Sequence, residues 1–391
     1  MLRTHPVYAL ILMLVLGGTL MLAVAGEGIS RGVSQAGNPG GQAETKQMPC
    51  YVQAYRQHVL RDLKDTRPLA DNENGFLAWD TSPIMDSLNV AGSLVPEAYP
   101  GKFVEVADKI LAARDDRTGK PDYAGHLRRG WGSSRYSNDK KSRVVFLVHT
   151  GLIVYPLLRF AELQRLEGRH EFDDKIRQYI RDAEDSLAEF DRDWVEEGPE
   201  GYYVSERGEP TTLGDVAEKA LPVNMMAAAG RCDVLLYRLT GNQKYLNIAT
   251  RLARYLKDRW KVKRVGDTET LVWSYWYSWP GHADVPEDVG HGGIEIEFME
   301  LCFEDKIVFD RHDVDRLLAT FETTVFNGSA FSWRVDGSGG FGKANAGRWI
   351  VWSKYDPRVL EILRSAYPCE TAGPTLDYYS LAWLARASEV K

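Results

Sequence analysis

The chain has 391 residues and a formal net charge of −7, from 55 acidic and 48 basic side chains. That balance excludes nucleic acid as the expected partner, although a local basic groove could still take an acidic glycan. No pair among Cys50, Cys232, Cys302 and Cys369 has zinc-ligand spacing, and neither a metal nor another cofactor is expected.

Arg3 and His5 precede an apolar run from Tyr8 to Leu22 and the small-residue stretch Ala23-Val24-Ala25. This is the pattern of a secretory signal peptide over residues 1–25, which places the mature chain in the periplasm or outside the cell. The run is short for a membrane span, so no stable membrane insertion is expected after cleavage; an uncleaved anchor is the alternative. Residues 26–48, rich in Gly, Ser, Gln and Ala, read as a disordered leader. One folded catalytic domain is expected over residues 49–391. An exported chain could join Cys50 to Cys369, the two ends of that domain, but four cysteines allow three pairings. Cys232 and Cys302 lie in apolar helical stretches and could equally be buried free thiols.

Beyond the leader the periodicity is mostly helical. Apolar residues recur at 3–4 spacing over Phe103–Arg114, Val144–Leu166, Phe172–Phe190, Ala217–Leu239, Lys244–Trp260, Ile294–Phe309, Val314–Val325, Arg358–Tyr367 and Leu376–Ala387. Gly- and Trp-rich loops between them have room for short strands. The helices come in pairs, one apolar nearly all round (VVFLVHTGLIVYPLLRFAEL), the next amphipathic and charged (DDKIRQYIRDAEDSLAEF). A helix apolar all round must be buried, and an amphipathic one covers it. An inner ring of helices inside an outer ring satisfies both; a solenoid is the alternative, but the units here are unequal and carry long insertions.

The junction Leu239-Thr240-Gly241-Asn242-Gln243-Lys244-Tyr245-Leu246 resembles the TGD-x-x-YL turn of the α/α-toroid carbohydrate-active enzymes. The resemblance implies a mainly α fold, an (α/α) toroid of paired inner and outer helices with short strands in the inserted loops. Polysaccharide lyases, glucuronyl C5-epimerases and glycoside hydrolases share that architecture, so function must be argued from the site.

The stretch LVWSYWYSWPGHADVPEDVGH, Leu271 to His291, combines sugar-stacking aromatics with proton-transfer groups. Alternation would put Trp273, Tyr275, Tyr277 and Trp279 on one face of a strand; a buried aromatic strand followed by a helix cap is the competing interpretation. Glu287 and Asp288 stand four and three residues before His291, so one of them can share its helical face and charge its ring, or simply cap the helix. Inner-helix starts further expose His149, Asn224, Arg143, Tyr378 and Asp377. Loops add Trp79, Asp80, Trp131, Arg135 and Tyr136. Each has a structural alternative: a hydrogen-bonded core histidine, a capping amide or a packed aromatic. The catalytic candidates are thus His291, His149, Asn224, Tyr275, Tyr277, Arg135, Tyr136, Glu287 and Asp288. Those for substrate binding are Trp79, Trp131, Arg143, Trp276, Trp279, His282 and Tyr378.

The leading expectation is an exported polysaccharide enzyme acting on a uronate-containing glycan, by β-elimination or C5-epimerisation. Asn224 with His149 or His291 would neutralise the carboxylate, Arg135 and Arg143 would bind it, and a tyrosine near a cation would act as base. The alternatives are a glycoside hydrolase, with Glu287 or Asp288 paired to Asp80, Asp215 or Asp377, and a non-catalytic glycan-binding protein.

Overall fold

The computed structural model describes residues 48–64, 71–211, 217–279, 283–342, 345–369 and 378–389. The elements alternate between covering and buried helices. In chain order they are α1 (Cys50–Asp62), α2 (Ser82–Ala91), α3 (Gly101–Ala112), α4 (Leu147–Leu166), α5 (Asp173–Leu187), α6 (Val223–Thr240), α7 (Gln243–Lys257), α8 (Val289–Glu304) and α9 (Arg311–Thr320). A 3-10 segment at Gly347–Lys354, then α10 (Pro357–Ala366) and α11 (Tyr378–Glu389), complete the chain. Two-stranded hairpins fill the insertions: β1 (Trp194–Glu197) with β2 (Glu200–Tyr203), β3 (Lys261–Val265) with β4 (Thr268–Val272), and β5 (Phe331–Ser332) with β6 (Phe341–Gly342).

The inner elements close on themselves. Helix α2 lies beside α4, α4 beside α6, α6 beside α8, α8 beside the 347–354 segment, that segment beside α11, and α11 returns to α2. On the outside, α1 covers α11, α5 covers α4, α7 covers α6, and α10 covers the 347–354 segment. Helix α3 is held by Phe103, stacked on Phe160 of α4 with centroids 4.4 Å apart. The sequence dictates which helix goes where. In α4 almost every residue from Leu147 to Ala161 is buried, whereas α7 buries one stripe, Tyr245, Ile248, Ala249, Leu252, Ala253 and Leu256. Between α6 and α7, Gly241 takes the left-handed conformation and Asn242 caps the next helix by accepting from the Lys244 amide. Gly151 lets α4 and α6 touch, since a β-carbon there would lie 2.5 Å from the Ala228 carbonyl carbon.

One side chain from each inner element meets on the ring axis: Asp86, Tyr155, Arg231, Glu297, Arg348 and Tyr379. Arg231 pairs with Glu297 and lies 4.2 Å from the Tyr155 ring; Arg348 is 2.7 Å from Glu297, 3.9 Å from Asp86 and 5.1 Å from the Tyr379 ring. All but Arg348 are buried. The Arg231–Glu297–Arg348 contacts offset the cost of burying those charges, while burial and the neighbouring Glu297 push the Asp86 carboxyl up to about 7.

Cys50 and Cys369 form a disulfide, while Cys232 and Cys302 are buried free thiols. Helices α1 and α2 and the 347–354 segment were not expected from periodicity. The proposed signal peptide and leader, up to residue 47, lie outside the described residues. No helix among the described residues is long and apolar enough to cross a membrane.

Candidate functional site

The first turns of α4, α6 and α8 present His149, Asn224 and His291. Trp79 links the two histidines: its ring centroid is 6.0 Å from His149 and 6.4 Å from His291. It stands on a single π-helical turn, Leu77–Thr81, that leads into α2 and also carries Asp80. Tyr136 lies edge-on to His149 at 5.4 Å, and Tyr275 stacks on His291 at 5.9 Å. His149, His291, Trp79, Tyr136 and Tyr275 therefore form one continuous aromatic arc, with Arg135 over the Tyr136 ring at 5.4 Å.

Gly75 makes the arc possible. Its φ is +78°, and a β-carbon would lie 3.1 Å from Trp79, 3.6 Å from His149 and 3.6 Å from Tyr136. Gly75→Ala is expected to cost about 1–2 kcal/mol by backbone strain and to shift Trp79 fluorescence by displacing the rings. Unchanged melting temperature and unchanged fluorescence together would show that the loop is not a support for the arc.

The two histidines differ electrically. Burial pushes the His149 ring down to about 3, with Arg135 adding to the effect, so it is neutral at any ordinary pH. Trp79 Nε1 donates to its Nε2 at 3.0 Å and the Asn72 side-chain amide meets its Nδ1 at 3.0 Å, leaving no nitrogen free for proton transfer. His149 positions Trp79. At His291 burial also opposes the charge, but Asp288, 2.5 Å from Nδ1, and then Glu287 outweigh it and raise the ring to about 9. Asp288 does two jobs: it pairs with this imidazolium and caps α8 through the Gly290 and His291 amides. Burial alone would push its carboxyl up; the His291 charge and these hydrogen bonds bring it below the usual range.

Glu287 is fully buried behind that pair, its Oε1 accepting from the Asp288 amide at 2.8 Å. It faces Glu295, also fully buried, which accepts from Trp273 Nε1. Desolvation and repulsion from Glu295 raise Glu287, and desolvation raises Glu295 to about 8, so the pair resists ionisation. At Glu295 the folded state thus holds a proton that the unfolded chain releases above about pH 4.5, and the resulting stability is lost as pH rises from there through about 8. His291 acts in the same direction, with stability lost as pH passes 9. Glu295→Gln keeps an acceptor for Trp273 and a partner for Glu287. It is expected to flatten the fall in melting temperature as pH rises through about 8; an unaltered fall would show that Glu295 does not take up a proton on folding.

Glu287, Asp288 and His291 place ligand atoms within 4.8 Å of one another, a donor set a cation could use. Two ligands of one tetrahedral ion stand roughly 3.4 Å apart. The 2.5 Å between Asp288 and His291 is instead the contact of an ion pair.

Several expected site residues serve the scaffold. Trp131 is buried and donates to the Ile110 carbonyl, and Trp276 is buried and donates to the Ala220 carbonyl, so neither offers a face to a sugar. Arg143 is spent on Glu73 and, at 2.8 Å, Asp115. Tyr378 donates to Asp62 of α1. The aromatic strand ends at Val272, and residues 273–279 form a loop whose kinks bury Trp273 and Trp276 and leave Tyr275 half-buried. Tyr277 turns away, donating to the Arg259 carbonyl at 3.2 Å and accepting from the Ser274 amide. Nor does any tyrosine become a base: burial raises Tyr136, Tyr275 and Tyr277, and at Tyr136 it outweighs the neighbouring Arg135. Trp279 is half-buried, with Trp276 at 4.8 Å and Lys219 at 5.3 Å from its ring. His282, Asp215 and Asp377 lie outside the described residues. Asn72, through His149, and Glu295, through Glu287, join the site unannounced. For Glu295 there was a signal, an acidic residue in the otherwise apolar start of α8.

No known sequence family matches this chain, and no curated protein does. Solved structures do. The α-1,6-mannanase of glycoside hydrolase family 76 from Salegentibacter sp. HEL1_6 is 11% identical, with a TM-score of 0.50 over 86% of this chain and 98% of that one. The unsaturated glucuronyl hydrolase of Bacillus sp. GL1 is 18% identical, with a TM-score of 0.44 over 86% of this chain and 83% of its own. This chain is an α/α toroid. At such identities the likeness carries the fold alone, and the toroid's chemistry rests on its own residues.

Proposed function

We propose that this toroid is an exported enzyme that hydrolyses a glycan, with Asp80 as general acid and Asp288 as the ionised carboxylate opposite. The observation that carries this reading is that the two carboxylates are pushed apart. Asp80 keeps its tip in solvent, but the protein around it raises its carboxyl, an effect Arg135 only partly offsets. Asp288 is held ionised by His291 and two backbone amides. Environments that separate two carboxyls in this way assign acid and base between them. Trp79, next to Asp80 and 6.4 Å from His291, supplies a stacking face between the two.

One observation favours elimination as a second reading. The amide oxygen of Asn224, buried at the head of α6, accepts from nothing among the described residues and could accept from a protonated substrate carboxyl. Against it, every tyrosine of the arc is held protonated. Incubation with acidic and neutral polysaccharides, following reducing ends and absorbance near 235 nm together, separates the two. Reducing ends without absorbance are expected; absorbance rising in step with them would replace hydrolysis by elimination, and neither signal would end the enzymatic reading.

A further inference from the structure

Two arginines flank the arc without a carboxylate partner among the described residues. Arg135, half-exposed beside Tyr136 and Trp79, donates only to the Asn74 carbonyl, at 3.0 Å. Arg334, half-buried, donates to the Pro286 carbonyl immediately before Glu287 and Asp288. Its backbone runs alongside that segment, with Asp288 bridged to Arg334 and the Val335 amide bonded to the Glu287 carbonyl. The residue before it, Trp333, is 40% exposed. Arg135 thus stands on an aromatic face close enough to Asp80 to act on its charge, and Arg334 stands on the segment paired with Asp288, next in sequence to the exposed Trp333.

A guanidinium has five N–H donors in a fork that matches a carboxylate, and one backbone carbonyl leaves most of them unspent. Shortage of acids does not explain this, since the chain carries seven more acidic than basic residues, 55 against 48. The neighbouring arginines are matched: Arg128 and Arg129 with Glu189, Arg143 with Glu73 and Asp115. Internal packing has left unmatched donors beside Tyr136, at one end of the arc, and on the segment that pairs with Asp288.

We propose that the glycan is acidic, and that Arg135 and Arg334 receive the carboxylates of uronate units stacked on the Trp79–Tyr136 and Trp333 faces. This rests on the reading of the arc as a glycan site and names the substrate class for it. It does not depend on whether the bond is broken by water or by elimination.

Binding measured by calorimetry tests it apart from catalysis, with Asp80→Asn protein used to suppress turnover. The probes are oligosaccharides of glucuronate, galacturonate and mannuronate, each with its carboxyl-reduced counterpart, and a sulfated neutral oligosaccharide. At least one uronate oligomer is expected to bind ten times or more tighter than its reduced form, with affinity falling as salt rises. In the same background Arg135→Gln and Arg334→Gln should each remove about tenfold of that preference while leaving the reduced oligomer's affinity unchanged. Arg135→Lys should retain part of it, because charge remains and the fork is lost. Equal affinity for acidic and reduced forms would overturn the proposal and leave the glycan site standing. Binding of the sulfated neutral oligomer alone would overturn it in favour of sulfate. No binding of any probe would overturn it together with the glycan site. Selective uronate binding by a wild type that cleaves nothing would uphold it and remove the proposed hydrolysis.

Discussion

Asp80→Asn is expected to lower kcat by about 10²–10⁴-fold, the range for loss of a positioned proton donor. Asp80 is an exposed residue and the described residues give its side chain no hydrogen bond, so stability should stay within about 0.5 kcal/mol of wild type. Asp288→Asn is the companion. Asparagine caps a helix as well as aspartate, so α8 should hold, but the charge that keeps His291 protonated is gone. His291 should then titrate well below 9, toward the ordinary imidazole range, as nuclear magnetic resonance can read. Hydrolysis predicts that both variants are nearly silent and both folded. An Asp80→Asn enzyme of ordinary rate would remove the acid assigned here, and an unmoved His291 would remove the ion pair.

Reduction of the Cys50–Cys369 bridge is expected to cost about 3–5 kcal/mol of stability, and Cys50→Ser to do the same. The bond spans 319 positions of sequence, so in the unfolded chain it closes a very long loop. In the folded chain it ties the start of α1 to the segment leading into α11, where the last hairpin of the ring meets the first. Thermal melts with and without a phosphine reductant check this. Cys232 and Cys302, both buried, should resist thiol reagents until the ring opens. An unchanged melting temperature after verified reduction would show that packing of α1 on α11 closes the ring without the bond.

The pairing of helices was legible because burial leaves a plain mark. A segment such as Leu147–Ala161 can be apolar on every side only when surrounded, and the charged partner after it declares which face is wet. Helices α1 and α2 escaped because α1 is largely polar and α2 is entered through a π turn that breaks the period. In the 347–354 segment, Trp349 to Trp352 are all buried, and a 3-10 helix has no 3.6-residue stripe to detect. The site was legible as a set of residue types and not as roles. Nothing in the sequence distinguishes Trp131 and Trp276, whose indoles find carbonyls in the core, from Trp79, whose indole finds His149. The two histidines looked alike until their partners were seen: one meets two neutral groups, the other a carboxylate. Tyr275 and Tyr277 were read as neighbours on a strand, and the loop after Val272 sends them to different places.

The cluster on the ring axis makes the toroid a vessel with a floor. Arg231, Glu297, Asp86 and Arg348, wedged between Tyr155 and Tyr379, fill the middle, so among the described residues side chains block the line along which water or a sugar chain would pass. A ligand at Trp79 and His291 would then leave by the side it entered. If the arc takes a glycan as proposed, a polymer would be gripped across the rim or by one tip rather than threaded, and each product would have to back out before the next substrate could settle.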